Sequence, residues 1–129
     1  MGGSERFFSK GSFCRPITLI FVTIGNDQRS FRRLIRKIES TARNYPNLEF
    51  VLQNGHTKIQ EPELENVSAQ PFYEREDFDY LIERADHIIM HAGAGTLLKV
   101  ARAGRFPLVV PRLFEFGEHI NDHQKDIAI

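Results

Sequence analysis

The chain holds a single cysteine, carries no net charge and has no long apolar run. Each absence excludes something. With Cys14 alone no internal disulfide can form, and such sparse usage suits a reducing compartment. Cys14 reads as a surface thiol without a role. Lysine plus arginine number 17, and so do aspartate plus glutamate, so overall charge gives a nucleic-acid partner no support. The longest apolar stretch, Ile17 to Ile24, falls far short of the roughly 20 residues of a membrane span. It follows Arg15-Pro16, yet the next residues, Gly25-Asn26-Asp27-Gln28-Arg29, lack the small-residue pattern of a signal cleavage site. The expected location is the cytoplasm. Internal repeats and low-complexity tracts are also missing.

What remains is an ordinary globular composition. At 129 residues, 41% hydrophobic and 26% charged, the chain fits one domain with a core that needs no staples. Residues 1–16 have no clean period and read as a loose leader, with Phe7, Phe8 and Phe13 scattered through it. Ile17 to Ile24 is a continuous β-branched run, as expected of a strand buried on both faces. Phe31, Leu34, Ile35, Ile38 and Ala42 then recur at helical spacing, with Ser30 or Asp27 as the expected cap and Pro46 as the breaker. Strands are predicted over 48–52, 67–72, 87–90 and 107–110, and helices over 74–85 and 94–103. Residues 56–65 read as a polar loop. Gly104 is the natural helix stop, and Asn121 caps a last helix with Gln124 as its capping-box partner. Strands alternating with helices at this spacing mean βαβ units in a parallel sheet, whose ligands sit at the carboxyl ends of the strands.

The strongest signal is His91-Ala92-Gly93-Ala94-Gly95-Thr96. A strand ends there in a glycine-rich turn that opens a helix. Such a turn offers unpaired N–H groups and the positive end of the helix dipole, and glycines let an anion approach the main chain. The segment matches neither a dinucleotide fingerprint nor a P-loop, and no serine stands where a nucleophile elbow needs one. Thr96 either donates its hydroxyl to a phosphate or caps its own helix. His91 is either a site residue or a core histidine. A second polar segment follows the last strand: Pro111-Arg112, then Glu118-His119-Ile120-Asn121-Asp122-His123-Gln124. Together the two loops describe a ligand crevice.

Other patterns carry less. His119 and His123 are four apart, but a cap at Asn121 leaves His119 outside the helix, so no metal pair is expected. Asp77-Phe78-Asp79 lies within a helical pattern, where residues two apart face different ways. Arg29, Arg32, Arg33, Arg36, Lys37 and Arg43 crowd one helix with only Glu39 in opposition. They read as a solvated face, with contact to an anionic membrane surface or an acidic partner as the other reading.

The ordered set Ile20-Phe21-Val22-Thr23-Ile24-Gly25, Phe31-Arg32-Arg33-Leu34, His91 to Thr96, Pro111-Arg112 and Glu118 to Gln124 resembles the family 28 glycosyltransferase C-terminal domain. The resemblance is nearest to the small split subunits of exopolysaccharide and capsule synthesis, with the dolichol-linked N-acetylglucosaminyl transferase a more distant relative. It covers residues 17–129 and implies a Rossmann-like α/β fold. That fold is the C-terminal half of a GT-B architecture, with a parallel sheet of about five strands in the order 3-2-1-4-5 and flanking helices. It implies a donor-binding subunit that holds a UDP-sugar, needs no metal or other cofactor, and meets its lipid-linked acceptor on a membrane-associated partner chain. The partner would recruit it to the inner face of the membrane. By the same resemblance, Gly25 and the turn Gly93, Ala94, Gly95 and Thr96 bind the nucleotide, and Phe72 lies against the uracil. Asp122 and Gln124 reach the sugar or ribose, and Arg112 or His119 the diphosphate. The general base is His91 or Glu118, or comes from the partner. Leu97, Leu98 and Lys99 stand where many members place a ribose-binding acid. The last helix has barely begun at Ile129, so the domain is expected to be truncated there. The rival readings are a nucleotide-sugar module without catalysis and one lobe of a UDP-sugar epimerase.

Overall fold

The computed structural model describes residues 17–25 and 27–128. The leader, with Cys14 and its three phenylalanines, lies outside them. Among these residues the order is β1 Thr18–Thr23, α1 Arg32–Asn44, β2 Leu48–Gln53, β3 Val67–Gln70, α2 Arg75–Arg84, β4 His87–His91, α3 Ala94–Arg102, β5 Leu108–Val110 and α4 His123–Ala128, with a loop and no helix between β2 and β3 and a 3-10 turn, Phe114–Phe116, before α4. All strand pairs are parallel, and the sheet order is β3-β2-β1-β4-β5. This is the Rossmann-like α/β arrangement that the sequence predicts.

β1 shows why the sheet forms as it does. Side chains alternate across a strand, and here both faces are apolar. Leu19 and Phe21 enter one core with α2 residues Leu81 and Ile82. Ile20, Val22 and Ile24 enter the other with α1 residues Leu34, Ile35 and Ile38. Phe21 is wholly buried and meets Tyr73 and Phe78 edge to face, with ring centroids 6.2 and 5.4 Å away.

Polar side chains close the element ends. The Asn66 amide donates to the carbonyls of Ala42, Tyr45 and Leu48, which finishes α1 and aims the chain into β2. Arg105 donates to the carbonyls of Ile82, Glu83 and Ala85, orphan acceptors at the end of α2. Gly104 has φ +74°, the left-handed stop after α3.

Two caps differ from expectation. Neither Ser30 nor Asp27 caps α1. Thr57, buried in the loop after β2, accepts the Phe31 N–H at 2.8 Å instead. That loop is therefore more than a polar tether, and buried Glu39 also anchors it by accepting the N–H groups of Gln60 and Glu61. Asn121 does accept the His123 N–H at 2.9 Å, but Gln124 makes no capping box and turns inward. Local sequence suggests a cap, and the tertiary bonds prove stronger.

Phe21→Ala will cost about 3–5 kcal/mol, the range for deleting a buried phenylalanine ring. Half-exposed Leu98→Ala will stay within about 0.5 kcal/mol. Urea midpoints of the two variants check the pair.

Candidate functional site

The sheet reverses its winding between β1 and β4, which lie side by side. In open parallel sheets the crevice outside the carboxyl ends at such a point is where ligands bind. Two of the sequence-predicted segments, Gly25 after β1 and His91-Ala92-Gly93 after β4, meet there.

His91 fills the space between them. It is 8% exposed. A Cβ on Gly25 would lie 2.6 Å from its Nε2, and one on Gly93 would lie closer still. Both glycines are thus bare because the imidazole occupies their side-chain space, and Gly25 also has φ +82°. Burial first, and the Arg112 charge second, push the His91 pKa down to about 4, so the ring is neutral at pH 7. The Thr23 main chain acts weakly the other way. Among the described residues no well-formed hydrogen bond satisfies Nδ1.

Gly95 differs from Gly93. Nothing lies within 4 Å of where its Cβ would be, and Ala94 and Gly95 are exposed. The first hydrogen bond of α3 runs from the Leu97 N–H to the Gly93 carbonyl at 2.9 Å. The N–H groups of Ala94, Gly95 and Thr96 precede it and have no carbonyl one turn back. The turn is therefore open, with three donors and a helix dipole facing outward. No side chain caps this helix, so the Thr96 hydroxyl is not used there.

Arg112 is placed otherwise than a diphosphate ligand requires. It has no exposed surface. Its guanidinium donates to the Ile24 carbonyl at 2.7 and 3.3 Å, to Arg29 at 2.8 Å and to Glu118 at 3.0 Å. Its charged carbon lies 4.9 Å over the Phe31 ring. Burial lowers its pKa, while Asp27 and Glu118 oppose that. Glu118 is engaged as well. Both its oxygens receive Arg33, at 2.9 and 3.1 Å, and one also accepts the Leu113 N–H at 2.9 Å. A carboxylate pinned this way is not free to turn towards a ligand. Gln124 Oε1 accepts the N–H of Ala92 at 3.2 Å and of Arg112 at 3.0 Å, tying β4 to the loop after β5.

His119 keeps a place at the crevice. Its Nε2 is 3.7 Å from Asp27 and its ring 4.6 Å from that of His123. Burial alone would raise the Asp27 carboxyl, but the Arg29 N–H and the Arg112 and Arg29 charges hold it below its usual value. Among the described residues no three histidine, cysteine or acidic side chains gather as metal ligands. Asp122 accepts the Phe114 N–H at 2.8 Å and is exposed. Phe72, half exposed, stacks edge to face with His56 at 5.8 Å. Gly55, next to His56, bonds Pro71 and sits against Gly25. One line of carboxyl-end loops therefore runs from Phe72 to Thr96, over three strand spacings or about 14 Å. Lys99 points away from this line, to Asp79 at 2.9 Å. The roles of Arg33, Thr57 and His56 give no local signal in the sequence, because each acts on a residue far along the chain.

The sequence profile of the glycosyltransferase family 28 C-terminal domain matches residues 19–128, and the chain belongs to that family. Among solved structures, a glycotransferase of kitacinnamycin aligns over 92% of this chain and 30% of its own, with TM-score 0.64 and 18% identity. The glycosyltransferase SnogD from Streptomyces nogalater aligns over 86% of this chain and 28% of its own, with TM-score 0.57 and 26% identity. The chain spans under a third of the length of either. No curated protein sequence matches it. The fold is that of one GT-B lobe.

The two glycines make opposite predictions. Gly93→Ala will drive a methyl into His91 and cost about 1–3 kcal/mol. Gly95→Ala, in open helix, will keep or raise stability by up to about 1 kcal/mol. Thermal midpoints and the His91 ring resonances read both. His91 also sets a pH dependence. Its folded pKa lies below its ordinary value, so the unfolded chain binds the proton first as pH falls. Stability is full above about pH 6.5 and declines towards pH 4, by on the order of 3 kcal/mol from this residue. Urea titrations between those limits will show that slope in the wild type and a shallower one in His91→Gln.

Proposed function

We propose that this chain is the donor-binding lobe of an inverting glycosyltransferase of polysaccharide or glycolipid synthesis. It holds a UDP-sugar, and a membrane-associated partner chain brings a lipid-linked acceptor. The acceptor hydroxyl attacks the anomeric carbon, the bond from that carbon to the β-phosphate oxygen breaks, and UDP leaves with the bond electrons. The hydroxyl proton passes to a base. The observation that carries this reading is the open first turn of α3 at the switch point, beside a buried neutral histidine.

The chemistry follows from that geometry. Negative charge grows on the departing diphosphate, and donors fixed in advance stabilise it without reorganising. The N–H groups of Ala94, Gly95 and Thr96 supply such donors, so no metal or other cofactor is called for. His91, neutral and buried, packs against Gly93 at the start of this turn. Glu118 is held by Arg33 and buried His91 has little proton affinity, so of the three candidates the group on the partner is the base. Arg112 and Gln124 act behind the site by fixing the loops that frame it. Phe72 and His56 offer an aromatic edge for the base, at the far end of the line from the diphosphate. His119 and Asp122 stand on the β5–α4 loop, where sugar hydroxyls would lie. The chain works in the cytoplasm, at the membrane face where its partner sits.

Calorimetry and amide shifts test this. UDP will bind at least about tenfold more tightly than UMP, the worth of one or two charge-assisted hydrogen bonds. Shifts will centre on Ala94 to Thr96, and Gly95→Ala will weaken UDP more than UMP. Turnover of a UDP-sugar will begin only when the acceptor-bearing chain is added. Absence of heat with either nucleotide, or shifts that avoid α3, would refute the reading.

A further inference from the structure

Glu118 is 2% exposed, and a carboxylate survives at that depth only when it is paired and hydrogen-bonded. Its partner comes from another element. Arg33, in the first turn of α1, grips it with two donors, Nε to Oε2 at 3.1 Å and Nη2 to Oε1 at 2.9 Å. The same Nη2 donates to the Pro111 carbonyl at 2.8 Å. The guanidinium is itself steadied, with the Phe31 and Phe116 ring centres 5.4 and 5.2 Å from its carbon. Among the described residues no other cation forms an ion pair with Glu118, and Arg112 donates to its main-chain carbonyl instead.

This pair is the hub of the loop between β5 and α4. Glu118 Oε1 accepts the Leu113 N–H at 2.9 Å, and the Glu118 N–H returns to the Leu113 carbonyl at 3.1 Å. The next N–H, of Phe114, goes to Asp122 at 2.8 Å. His119 follows Glu118 directly and lies 3.7 Å from Asp27 across the crevice. His119 and Asp122 are therefore both set by where Glu118 sits. An ordinary surface ion pair is worth little. This one differs, because removing Arg33 leaves a buried charge without compensation. The carboxylate then regains water only by swinging out, which releases Leu113 and loosens the loop.

We propose that Arg33 is a positioning residue for the sugar of the donor, acting through Glu118 on the loop that carries His119 and Asp122. The inference rests on the donor reading above and adds a division of labour to it. The diphosphate meets the first turn of α3 and the base meets the Phe72 edge, and Arg33 holds neither. The sugar meets the β5–α4 loop, which Arg33 does hold. Loss of Arg33 will therefore weaken a UDP-sugar and spare UDP.

Calorimetric titration of the full chain with UDP, UDP-glucose, UDP-galactose and UDP-N-acetylglucosamine is the test, with Leu113 amide exchange and the His119 ring resonances read on the same samples. In Arg33→Met the UDP affinity will stay within about twofold, while the UDP-sugar that wild type binds most tightly will weaken about tenfold, the worth of one or two hydrogen bonds. The Leu113 amide will exchange faster and the His119 ring will shift. Arg33→Lys, which keeps the charge, will fall between the two and serves in place of the Met variant if that one folds poorly. Combining Arg33→Met with Glu118→Gln will recover most of the loss, because a neutral amide needs no cation and still accepts the Leu113 N–H. Equal weakening of UDP and UDP-sugar in every variant means a general effect on the fold and overturns the proposal. So does an unchanged UDP-sugar affinity, or a double variant no better than Arg33→Met. If wild type binds none of these nucleotides, the donor reading fails and this inference falls with it. If wild type binds UDP and the variants show no such split, this inference fails alone.

Discussion

The crevice is held in shape by one buried guanidinium. Arg112 stands just past β5, yet its donors end on Ile24 and Arg29, in the segment between β1 and α1, and on Glu118 in its own loop. These carbonyls belong to irregular chain at the strand ends, where no ladder or helix satisfies them. Burying a charge is costly unless it is fully bonded. Here the bonds go to main chain, so the cost is offset and two loops distant in sequence become one rigid frame. Arg105 does the same on a smaller scale at the end of α2, so arginine-to-carbonyl stapling is used twice among the described residues.

Within that frame His91 and its two flanking glycines form a unit that favours the site over stability. A neutral ring is kept where its proton affinity is poor, with Nδ1 lacking a good partner among the described residues, and two positions must forgo side chains to admit it. Each feature is locally unfavourable. Sites that violate local rules in several ways at once are where function is expected, because nothing in folding requires it. The open turn at Gly95 belongs to the same unit. One glycine is bare to receive a ring from within, and the other leaves the outer surface clear for a ligand.

The fold was largely legible in the sequence because its signals are local or periodic. The apolar run of β1, the helical spacing of Phe31 to Ala42 and the stop at Gly104 each act within a few residues. The strand order rested on the resemblance and agrees with the structure. The site was legible only in its location. That a glycine turn opens α3 beside a second polar loop is visible in the residues themselves. What Arg112 and Glu118 do is not, since Arg112 answers carbonyls more than 80 residues away and Glu118 answers Arg33, 85 residues away. Their charge suggested ligand contact, whereas long-range pairing engages both. The cap expected for α1 failed for a similar reason: Thr57 reaches Phe31 across 26 residues, which no local pattern encodes.

These constraints sort the molecule into two ends and two faces. At the carboxyl ends of the strands, buried arginine, glutamine and glutamate are consumed in building loops, so recognition is left to peptide N–H groups, a neutral ring and an aromatic edge. A surface of that kind suits a ligand that brings its own negative charge. On the α1 face the exposed polar groups are mostly cations, of which Arg33 and Arg43 are engaged by Glu118 and Glu61, and the surface between α1 and β5 is apolar. One sheet supports both sides of the molecule, because its two cores are built from opposite faces of β1.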